Sequence, residues 1–339
     1  MLANFYIDLN VKSLTFAILR RLSDGEFHSG TELSQILGMS RSSISNALHD
    51  LDRLGLVIHK IQGRGYRWLN PVQWLNTAMI QTHLAGESDR FHIQVIDITE
   101  STNTLLLHEI TRNHIMHDGK IHVIAAELQT QGRGRRGRQW YTGLGDSLTF
   151  SLSWQFQRGV NFLSGLSLAI GVAIVRALMV VGIKGVTLKW PNDLLFEFIK
   201  LGGVLIELQG DMLGPATAVI GIGINLRLPD HIKNKIDQET TDLYSIVQEV
   251  PDRNKLLAVL LGELVATLNI FDQKGFSLFK DEWIRYHAFE NKLIELHLPN
   301  GSIQLGIARG VAPDGSLLVN TLMGEQSFHG GEISLRKLD

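Results

Sequence analysis

The residues with the clearest chemical potential lie at positions 131–138, where four arginines alternate with glycines, and Trp140 and Tyr141 follow at once. Arginine side chains are planar, charged forks that match phosphates and carboxylates. A tryptophan can stack on a flat ring or pack beside an aliphatic chain. Three glycines allow close backbone approach or left-handed angles: Gly132, Gly134 and Gly137. Taken alone, this arginine loop fits an anion site, a solvated basic loop or a nucleic-acid tail equally well.

Other polar groups in the middle of the chain favour the anion site. Most of them begin a predicted helix or adjoin a predicted strand, and they are Ser101, Thr102, Asn103, Gln129, Asn192, Asp193 and Asn225. Each alone is explained by helix capping or a turn. Lys200 begins an apolar strand, and Gly203 allows close contact with its backbone. A lysine and arginines beside a small polar pocket suit a reaction with growing negative charge, such as nucleotidyl transfer.

Several other chemistries find no support in the sequence. A phosphate-binding Gly-x-x-x-x-Gly-Lys-Ser/Thr loop is missing, and no spacing of serine, histidine and aspartate indicates a hydrolase triad. The chain has no cysteine, which excludes disulfides, thiol nucleophiles and cysteine metal sites. Its 13 histidines are scattered, and the closely spaced His114 and His117 fit surface positions better than a metal site. We therefore predict no metal-binding residues.

Composition describes a globular protein with more than one domain. The 339 residues are 44% hydrophobic and 19% charged, with a net charge of -2, so any nucleic-acid binding must come from a local surface. The longest apolar segment, Phe162 to Ile183, contains Arg176 and fits a buried helix better than a membrane span. Residues 1–10 lack the basic start of a signal peptide. We expect a cytoplasmic protein without membrane contact.

Residues 1–69 predict a small DNA-binding module. Thr31 to Gly38 forms one short helix, with Thr31 as its N-cap, and Ser40 caps a second helix whose buried stripe includes Ile44 and Leu51. Two helices joined by Gly-Met-Ser are typical of a helix-turn-helix, and residues 57–61 and 66–69 follow as a hairpin, or wing. A protein-binding helical module is the alternative. The expected DNA contacts are Arg41, Ser42, Ser43, Asn46 and, on the wing, Arg64.

Residues 70–288 predict an α/β catalytic domain, in which residues 70–91 form a connector and residues 92–288 alternate strands with helices. A connecting helix is predicted at Val72–Leu84. The predicted strands are His92–Ile98, Ile121–Glu127, Leu148–Gln155, Val186–Trp190, Leu201–Leu208 and Ala216–Leu226, and the predicted helices are Phe162–Val181, Arg253–Phe271 and Phe276–Tyr286. Residues 289–339 contain short strands separated by Pro-Asn-Gly, Pro-Asp-Gly and Gly-Gly, which predicts a small β-barrel.

Five segments in this order resemble the biotin–protein ligases: Gly132–Arg138, Lys189–Asp193, Lys200–Gly203, Gly221–Asn225 and Gly330–Leu335. With the winged helix-turn-helix in front, the resemblance is to the bifunctional class that also represses biotin biosynthesis, and it covers nearly the whole chain. It implies an α/β (α+β) catalytic domain of the class II aminoacyl-tRNA synthetase/biotin ligase type. An N-terminal winged helix-turn-helix and a C-terminal SH3-like β-barrel would flank that domain.

The resemblance also implies a reaction. Biotin and Mg-ATP would form biotinyl-5′-adenylate, and biotin would then pass to one lysine of the biotin carboxyl carrier protein of acetyl-CoA carboxylase. Lys200, Arg133 and Asp193 would be the catalytic residues, with Asp193 near the incoming lysine. Biotin and its adenylate would contact Ser101, Thr102, Asn103, Gln129, Arg133, Gly134, Arg135, Arg136, Trp140, Asn192, Lys200, Gly203 and Asn225. Arg138 would support the arginine loop.

Regulation follows from the same resemblance. Bound adenylate would stabilise a homodimer, and the dimer would place two winged helices on the operator DNA of biotin genes. The segment Arg227–Leu243, where the family has a second mobile loop over the adenine, contains no aromatic residue here. The apolar residues of this segment that are candidates for covering the adenine are Ile232, Ile236 and Leu243.

Three other functions compete with this interpretation. The chain could be a biotin-responsive transcription regulator with little ligase activity, although Lys200 and the arginine loop argue against that. It could be a lipoate or octanoate ligase, although the arginine loop and the terminal β module favour biotin. The arginine loop could bind RNA, although its position between strands of an enzyme-like domain makes this a poor explanation.

Overall fold

A computed structural model describes residues 13–53, 56–113, 118–210, 212–298, 300–329 and 334–337. The first twelve residues, His114, His117 and the Gly330–Ile333 part of the last family segment lie outside this range.

The N-terminal module consists of three helices and a two-stranded hairpin: α1 (Ser13–Arg21), α2 (Gly30–Leu37), α3 (Arg41–Arg53), β1 (Ile58–Ile61) and β2 (Gly65–Trp68). The predicted N-cap of α2 is wrong. Ser29, not Thr31, accepts the Glu32 N–H, and the Glu32 carboxylate accepts the Ser29 N–H, which completes a capping box. Gly38 ends α2 with left-handed angles, and Ser40 accepts the N–H of Ser43 at the beginning of α3, both as predicted.

The wing is tied to the helices through His28. Its backbone exchanges two hydrogen bonds of 2.9 Å with Tyr66 of β2. Gly65 stands directly against it, since a Cβ there would lie 2.1 Å from the carbonyl oxygen of His28. Arg64, at the exposed turn, lies 4.4 Å from the ring centroid of Phe27. The hairpin is therefore held at its base while Arg64 stays at the surface.

A seven-stranded mixed sheet forms the centre of the catalytic region. Its strands are β3 (Phe91–Thr99), β4 (Ile121–Gln129), β7 (Ser147–Phe156), β8 (Val186–Lys189), β9 (Asp193–Phe196), β10 (Ile199–Gly210) and β11 (Ala216–Asn225). The order is β3-β4-β7-β11-β10-β9-β8, and only β3 and β4 run parallel. The six predicted strands are present, with ends shifted by a few residues. Strand β9 was not predicted, because its first residue was assigned to a turn.

The remaining pair of strands in this region, β5 (Gly132–Arg133) and β6 (Gln139–Trp140), turns the arginine loop into a small hairpin. Helix α5 (Thr102–Asn113) covers one face of the central sheet, where Leu106 and Ile110 pack on Ile124 and Val219. The other helices are α4 (Thr77–Leu84), α6 (Leu166–Val180), α7 (Asp230–Lys233), α8 (Leu243–Val247), α9 (Arg253–Lys274) and α10 (Lys280–Tyr286).

Three predicted helices are shorter than expected. The first begins at Thr77 rather than Val72, because Asn76 caps it. The preceding Leu75 N–H donates to the Glu127 carboxylate instead. The second begins at Leu166, since Gly165 has a φ of 77° that breaks the helix, and a short 3₁₀ turn precedes it. The third is a 3₁₀ turn up to Phe279 followed by α10.

Helix α9 has the length and apolar composition of a membrane span among the described residues, with 56% of its apolar window buried. Its buried side chains, including Leu257, Leu261 and Leu268, belong to the main hydrophobic core together with those of α6. Because this helix is packed inside the protein, its composition is explained by the core.

The C-terminal region is a five-stranded antiparallel sheet of β12 (Leu293–His297), β13 (Ile303–Val311), β14 (Leu317–Thr321), β15 (Gly324–Phe328) and β16 (Ser334–Lys337). Its apolar residues, such as Ile294, Val311 and Val319, join the core of the catalytic region. The indole Nε1 of Trp190 also donates to the Gly315 carbonyl at 3.1 Å. The small β module is thus fused to the domain that carries the candidate site.

Candidate active site

One pocket beside the central sheet brings the predicted ligand residues together. It is lined by every residue expected to contact biotin or its adenylate, together with Asp193: Ser101, Thr102, Asn103, Gln129, Arg133, Gly134, Arg135, Arg136, Trp140, Asn192, Lys200, Gly203 and Asn225. Arg138 lines it as well. These residues come from six separate segments of the chain, so the fold creates the site.

The polar end of the pocket lies where β3 leads into α5. The Thr102 N–H donates to the Gln129 side-chain oxygen at 2.8 Å, so the first turn of α5 is fixed to the end of β4. Ser101, Thr102 and Asn103 are nearly fully buried. The Ser151 hydroxyl lies 2.7 Å from the Thr102 hydroxyl and 2.5 Å from Asn103 Oδ1. This end is a rigid set of donors and acceptors for a small polar group.

Two glycines of β11 form the wall of the pocket because side chains press against them. A Cβ on Gly221 would lie 2.2 Å from Asn103 Oδ1, and a Cβ on Gly223 would lie 2.6 Å from the Trp140 ring. Such distances are below any real contact, so both positions need glycine for Asn103 and Trp140 to remain where they are. The Gly221–Asn225 segment therefore positions the polar end and the aromatic wall of the pocket together.

The arginine loop is ordered as a hairpin with a left-handed turn. Gly134 N–H donates to the Arg138 carbonyl at 2.7 Å, and Arg136 and Gly137 have φ values of 59° and 71°. Of the three glycines, only Gly137 is left-handed. Gly132 instead permits close approach, since its Cβ would lie 2.5 Å from the Trp140 carbonyl oxygen, and Gly134 has an ordinary extended conformation. A non-glycine left-handed residue, Arg136, was not expected, and such residues often mark functional sites.

Basic side chains in the pocket are matched by specific polar partners. Lys200 Nζ lies 2.8 Å from Asp193 Oδ1, and both side chains are mostly buried. Arg135 donates to Asn192 Oδ1 at 3.2 Å, while Asn192 Nδ2 donates to the Val204 carbonyl at 2.8 Å. Burial lowers the pKa of the Arg135 guanidinium, although the negative charge of Asp193 opposes this. The pocket thus contains partly desolvated positive charge, which interacts more strongly with anions than charge in water does.

The segment after β11 closes one side of the pocket. Ile236, Gln238 and Thr240 line it, whereas Ile232 and Leu243 are buried in the protein interior. Lys200 anchors this segment through its backbone, because its N–H donates to the Glu239 carbonyl at 3.3 Å and its carbonyl accepts from Thr241 at 2.8 Å.

Glu207 was not predicted from the sequence. Its carboxylate accepts hydrogen bonds from Arg133 Nη2 at 2.7 Å and from Asn103 Nδ2 at 2.8 Å. It lies on β10 in the sequence Leu205-Ile-Glu-Leu208, whose alternation indicates only an ordinary strand. The signal that would have identified it is its spacing from Gly203 and Leu205, which lie on the same side of the strand and line the pocket.

The predicted DNA contacts form a separate exposed region. Arg41, Ser42 and Asn46 are exposed on the first turns of α3, and Ser43 is half-buried. Ser42 and Ser43 each lie 2.8 Å from the Ser40 hydroxyl. Contact of these two hydroxyls with DNA would therefore compete with their side-chain hydrogen bonds to Ser40.

Metal-binding side chains do not cluster in the described part of the chain, where no three His, Asp or Glu residues could hold an ion together. Within the pocket, Asp193 supplies a carboxylate suited to a hard cation, and side-chain amides such as Asn192 and hydroxyl groups supply further oxygen atoms.

Comparison with known families divides the chain into three matched regions. Residues 15–67 match an HTH domain, residues 95–225 match the biotin/lipoate A/B protein ligase family, and residues 291–336 match the biotin protein ligase C-terminal domain. Among solved structures, the biotin protein ligase from Aquifex aeolicus in complex with biotin and ATP is similar. Its TM-score is 0.62 at 28% identity, over 73% of this chain and 99% of that one.

Curated relatives extend the similarity over all three regions. The bifunctional ligase/repressor BirA of Bacillus subtilis is 27% identical over 91% of this chain and 94% of its own length. The bifunctional ligase/repressor BirA of Escherichia coli is 35% identical over 95% of this chain and 97% of its own length. With an HTH domain, a pocket that unites the ligase segments and this similarity along the whole chain, the protein belongs to the BirA family of bifunctional ligase/repressors.

Proposed function

We propose that the protein is an ATP-dependent biotin–[acetyl-CoA-carboxylase] ligase that also represses biotin biosynthesis genes. The observation that carries this proposal is the single pocket in which the arginine loop, Lys200 and the small polar residues of α5 meet. Biotin and ATP are the substrates, and the acceptor is a biotin carboxyl carrier protein. We place the activity in the cytoplasm, and we propose domain boundaries at 69/70 and 288/289.

In the first half-reaction, a biotin carboxylate oxygen attacks the α-phosphorus of ATP, and the bond to pyrophosphate breaks. Negative charge on the phosphate oxygens must be neutralised as pyrophosphate leaves. Among the cations that line the pocket, we assign this role to Lys200, Arg133 and Arg135. Ser101, Thr102, Asn103 and Gln129 would hold the polar ring of biotin, with Trp140 packed beside the ligand and Asn225 on the adenine side.

In the second half-reaction, the amine of the acceptor lysine attacks the adenylate carbonyl, and AMP leaves as the amide forms. The amine must lose a proton, because a lysine is protonated at neutral pH. Asp193, half-buried beside Lys200, is our candidate for orienting the amine and accepting that proton. The mixed anhydride hydrolyses in water, so closure of the arginine loop would also protect it.

Magnesium would enter with ATP. Mg²⁺ binds phosphates together with one or two carboxylates and keeps several waters, so a dedicated set of protein ligands is unnecessary. The donors in the pocket fit this requirement, since Asp193 and Asn192 lie beside the cations expected to face the phosphates. When bound, the ion would neutralise phosphate charge.

The N-terminal module gives the repressor function its DNA-binding surface. We propose that α3 enters the major groove with Arg41, Ser42, Ser43 and Asn46, and that Arg64 of the wing contacts the backbone. Adenylate binding would favour a homodimer that presents two such modules to the operator. This coupling must be reciprocal, so operator DNA should in turn favour adenylate binding.

Two of the alternative functions lose support. The C-terminal match is to the biotin protein ligases, which favours biotin over lipoate. The arginine loop lines the pocket as a hairpin, which favours a ligand of that pocket over RNA.

Transfer of labelled biotin to a purified carboxyl carrier domain tests the proposal, with and without ATP and magnesium. We expect ATP-dependent labelling by the wild type and loss of labelling in Lys200→Ala. Glu325→Ala, an exposed change on β15, should label normally. A folded wild type that binds biotin and operator DNA without labelling would instead identify a biotin-responsive transcription regulator.

A further inference from the structure

Glu207 connects the arginine loop to the polar end of the pocket. Its carboxylate bonds to Arg133, the first arginine of the loop, and to Asn103, at the polar end. The side chains of Arg133 and Glu207 are 43% and 26% exposed, so this ion pair lies at the border of the pocket and can open without desolvating either charge. Asn103 Nδ2 also donates to the Leu205 carbonyl at 3.2 Å, and this second bond holds the amide in place.

The ion pair conflicts with the binding of an anion. The Arg133 guanidinium, which lines the pocket, cannot direct Nη2 to Glu207 and to a ligand phosphate at full strength together. The ion pair therefore weakens anion binding, because the cation is already occupied by the Glu207 carboxylate.

We infer that Glu207 is a competing counter-ion for the adenylate: it pairs with Arg133 and gives up Arg133 when a phosphate-bearing ligand binds. The inference rests on the proposed function. Asn103 keeps its bonds to Glu207 and Leu205 through this exchange, so the polar end remains formed. Glu207 is thus a positioning residue that acts through Arg133 and lowers the affinity for the adenylate.

The effect should be modest and specific. A partly exposed ion pair contributes a few tenths to ~1 kcal/mol, so its removal should tighten adenylate binding about two- to fivefold. Glu207→Gln suits the test because the amide oxygen can still accept from Asn103, while the negative charge is gone. Glu325→Gln removes the same charge from an exposed site on β15 and serves as the matched control.

Calorimetric titrations of the full-length protein with two probes test the inference. Biotinyl alcohol is neutral, and its phosphodiester with adenosine is a stable, anionic analogue of the adenylate. We expect Glu207→Gln to bind the phosphodiester about two- to fivefold more tightly and biotinyl alcohol unchanged. In an Arg133→Gln background, adding Glu207→Gln should change neither affinity, because the competed cation is already absent.

Other outcomes overturn the inference. Equal weakening of both probes by Glu207→Gln would mean that Glu207 only orients Asn103. Tightening that persists in the Arg133→Gln background would mean that the carboxylate acts without Arg133. A folded wild type that binds neither probe would instead contradict the proposed function.

Discussion

Lys200 and Asp193, for which we propose different roles, are in contact at 2.8 Å between Nζ and Oδ1. Under the proposed function, the ammonium group would face growing phosphate charge in adenylation, and the carboxylate would meet an incoming amine in transfer. Because the two roles belong to different half-reactions, a mutation of the carboxylate can be distinguished from a mutation of the ammonium by measuring each half-reaction. We propose that Lys200 acts in adenylation, whereas Asp193 acts chiefly in transfer.

Asp193→Asn should therefore slow biotin transfer by about 100-fold or more while adenylate formation changes much less, because it removes a general base but keeps the side-chain shape. Single-turnover rates measured separately for adenylate formation and for transfer to the carrier domain check this. An enzyme that adenylates poorly but transfers at the normal rate would contradict the role given to Asp193.

Gly221 is a second residue whose role can be isolated. Its added Cβ would lie 2.2 Å from Asn103 Oδ1, so Gly221→Ala should push Asn103 out of position. Overpacking of this kind costs ~1–3 kcal/mol, and we expect biotin binding about tenfold weaker. Gly262→Ala is the control, because nothing lies within 4 Å of its Cβ in helix α9. Direct titration with biotin measures both variants, and equal affinities would show that Asn103 does not set biotin binding.

At the scale of elements, His28 joins the wing to the first helix of the helix-turn-helix. Its Nδ1 lies 2.9 Å from Glu32 and its Nε2 lies 2.8 Å from Asp24. Burial disfavours the charged ring, but the hydrogen bonds to the two carboxylates outweigh it and raise the pKa of His28 above 6.5. The bonds to His28 also help to hold the pKa of Glu32 below 4.5.

The pH dependence of this module follows from these directions. A raised histidine pKa stabilises the folded module fully below pH 6.5, and that contribution is lost as the pH rises through the higher pKa of the folded state. The lowered carboxylate pKa gives stability that is present above pH 4.5 and lost on further acidification. Operator binding should therefore weaken as the pH rises through the His28 titration.

An NMR titration of the His28 ring in the full-length protein measures its pKa. Its midpoint should lie above 6.5 and should fall in Asp24→Asn. Replacing exposed His59 with glutamine should leave the His28 midpoint unchanged. A His28 midpoint at or below 6.5 would contradict the raised pKa.

How far the sequence predicts these elements depends on the range of the interactions that form them. Strands such as β4 and β11 were predicted because their apolar residues and the polar turns beside them are local. The Ser29 cap is also local, because Ser29 and Glu32 have the Ser-x-x-Glu spacing of a capping box, and the prediction of Thr31 overlooked that spacing. The pairing of Glu207 with Asn103 joins residues 104 positions apart, and no periodicity reveals such a contact. Periodicity likewise does not reveal that Ile236 lines the pocket whereas Ile232 is buried in the interior.

At the scale of the whole molecule, a buried ion pair fastens the N-terminal connection to the catalytic region. Arg253 Nη1 lies 2.7 Å from Glu127 Oε2, and both side chains are almost wholly buried. The same arginine donates to the Gln73 carbonyl at 2.6 Å, and Glu127 accepts from the Leu75 N–H. One charge pair therefore fixes the segment that leads out of the DNA-binding module.

Arg253→Met should destabilise the protein by about 3–5 kcal/mol, because it leaves the Glu127 charge buried without a partner. The double variant Glu127→Gln, Arg253→Met should recover much of that loss, since no unpaired charge remains. Urea unfolding followed by tryptophan fluorescence measures both. Single and double variants of equal stability would show that the ion pair does not hold this connection.

The contact between the two modules also bears on how they can be used separately. Leu128 and Leu144, both from the catalytic region, are buried in the same cluster as Phe16 and Leu48 of the N-terminal module. A ligase shortened to begin at residue 70 would expose these leucines to solvent as a new apolar patch that promotes aggregation. Polar replacements at positions 128 and 144 are therefore the first repairs to make in a minimal ligase, whereas an intact repressor has to keep both leucines.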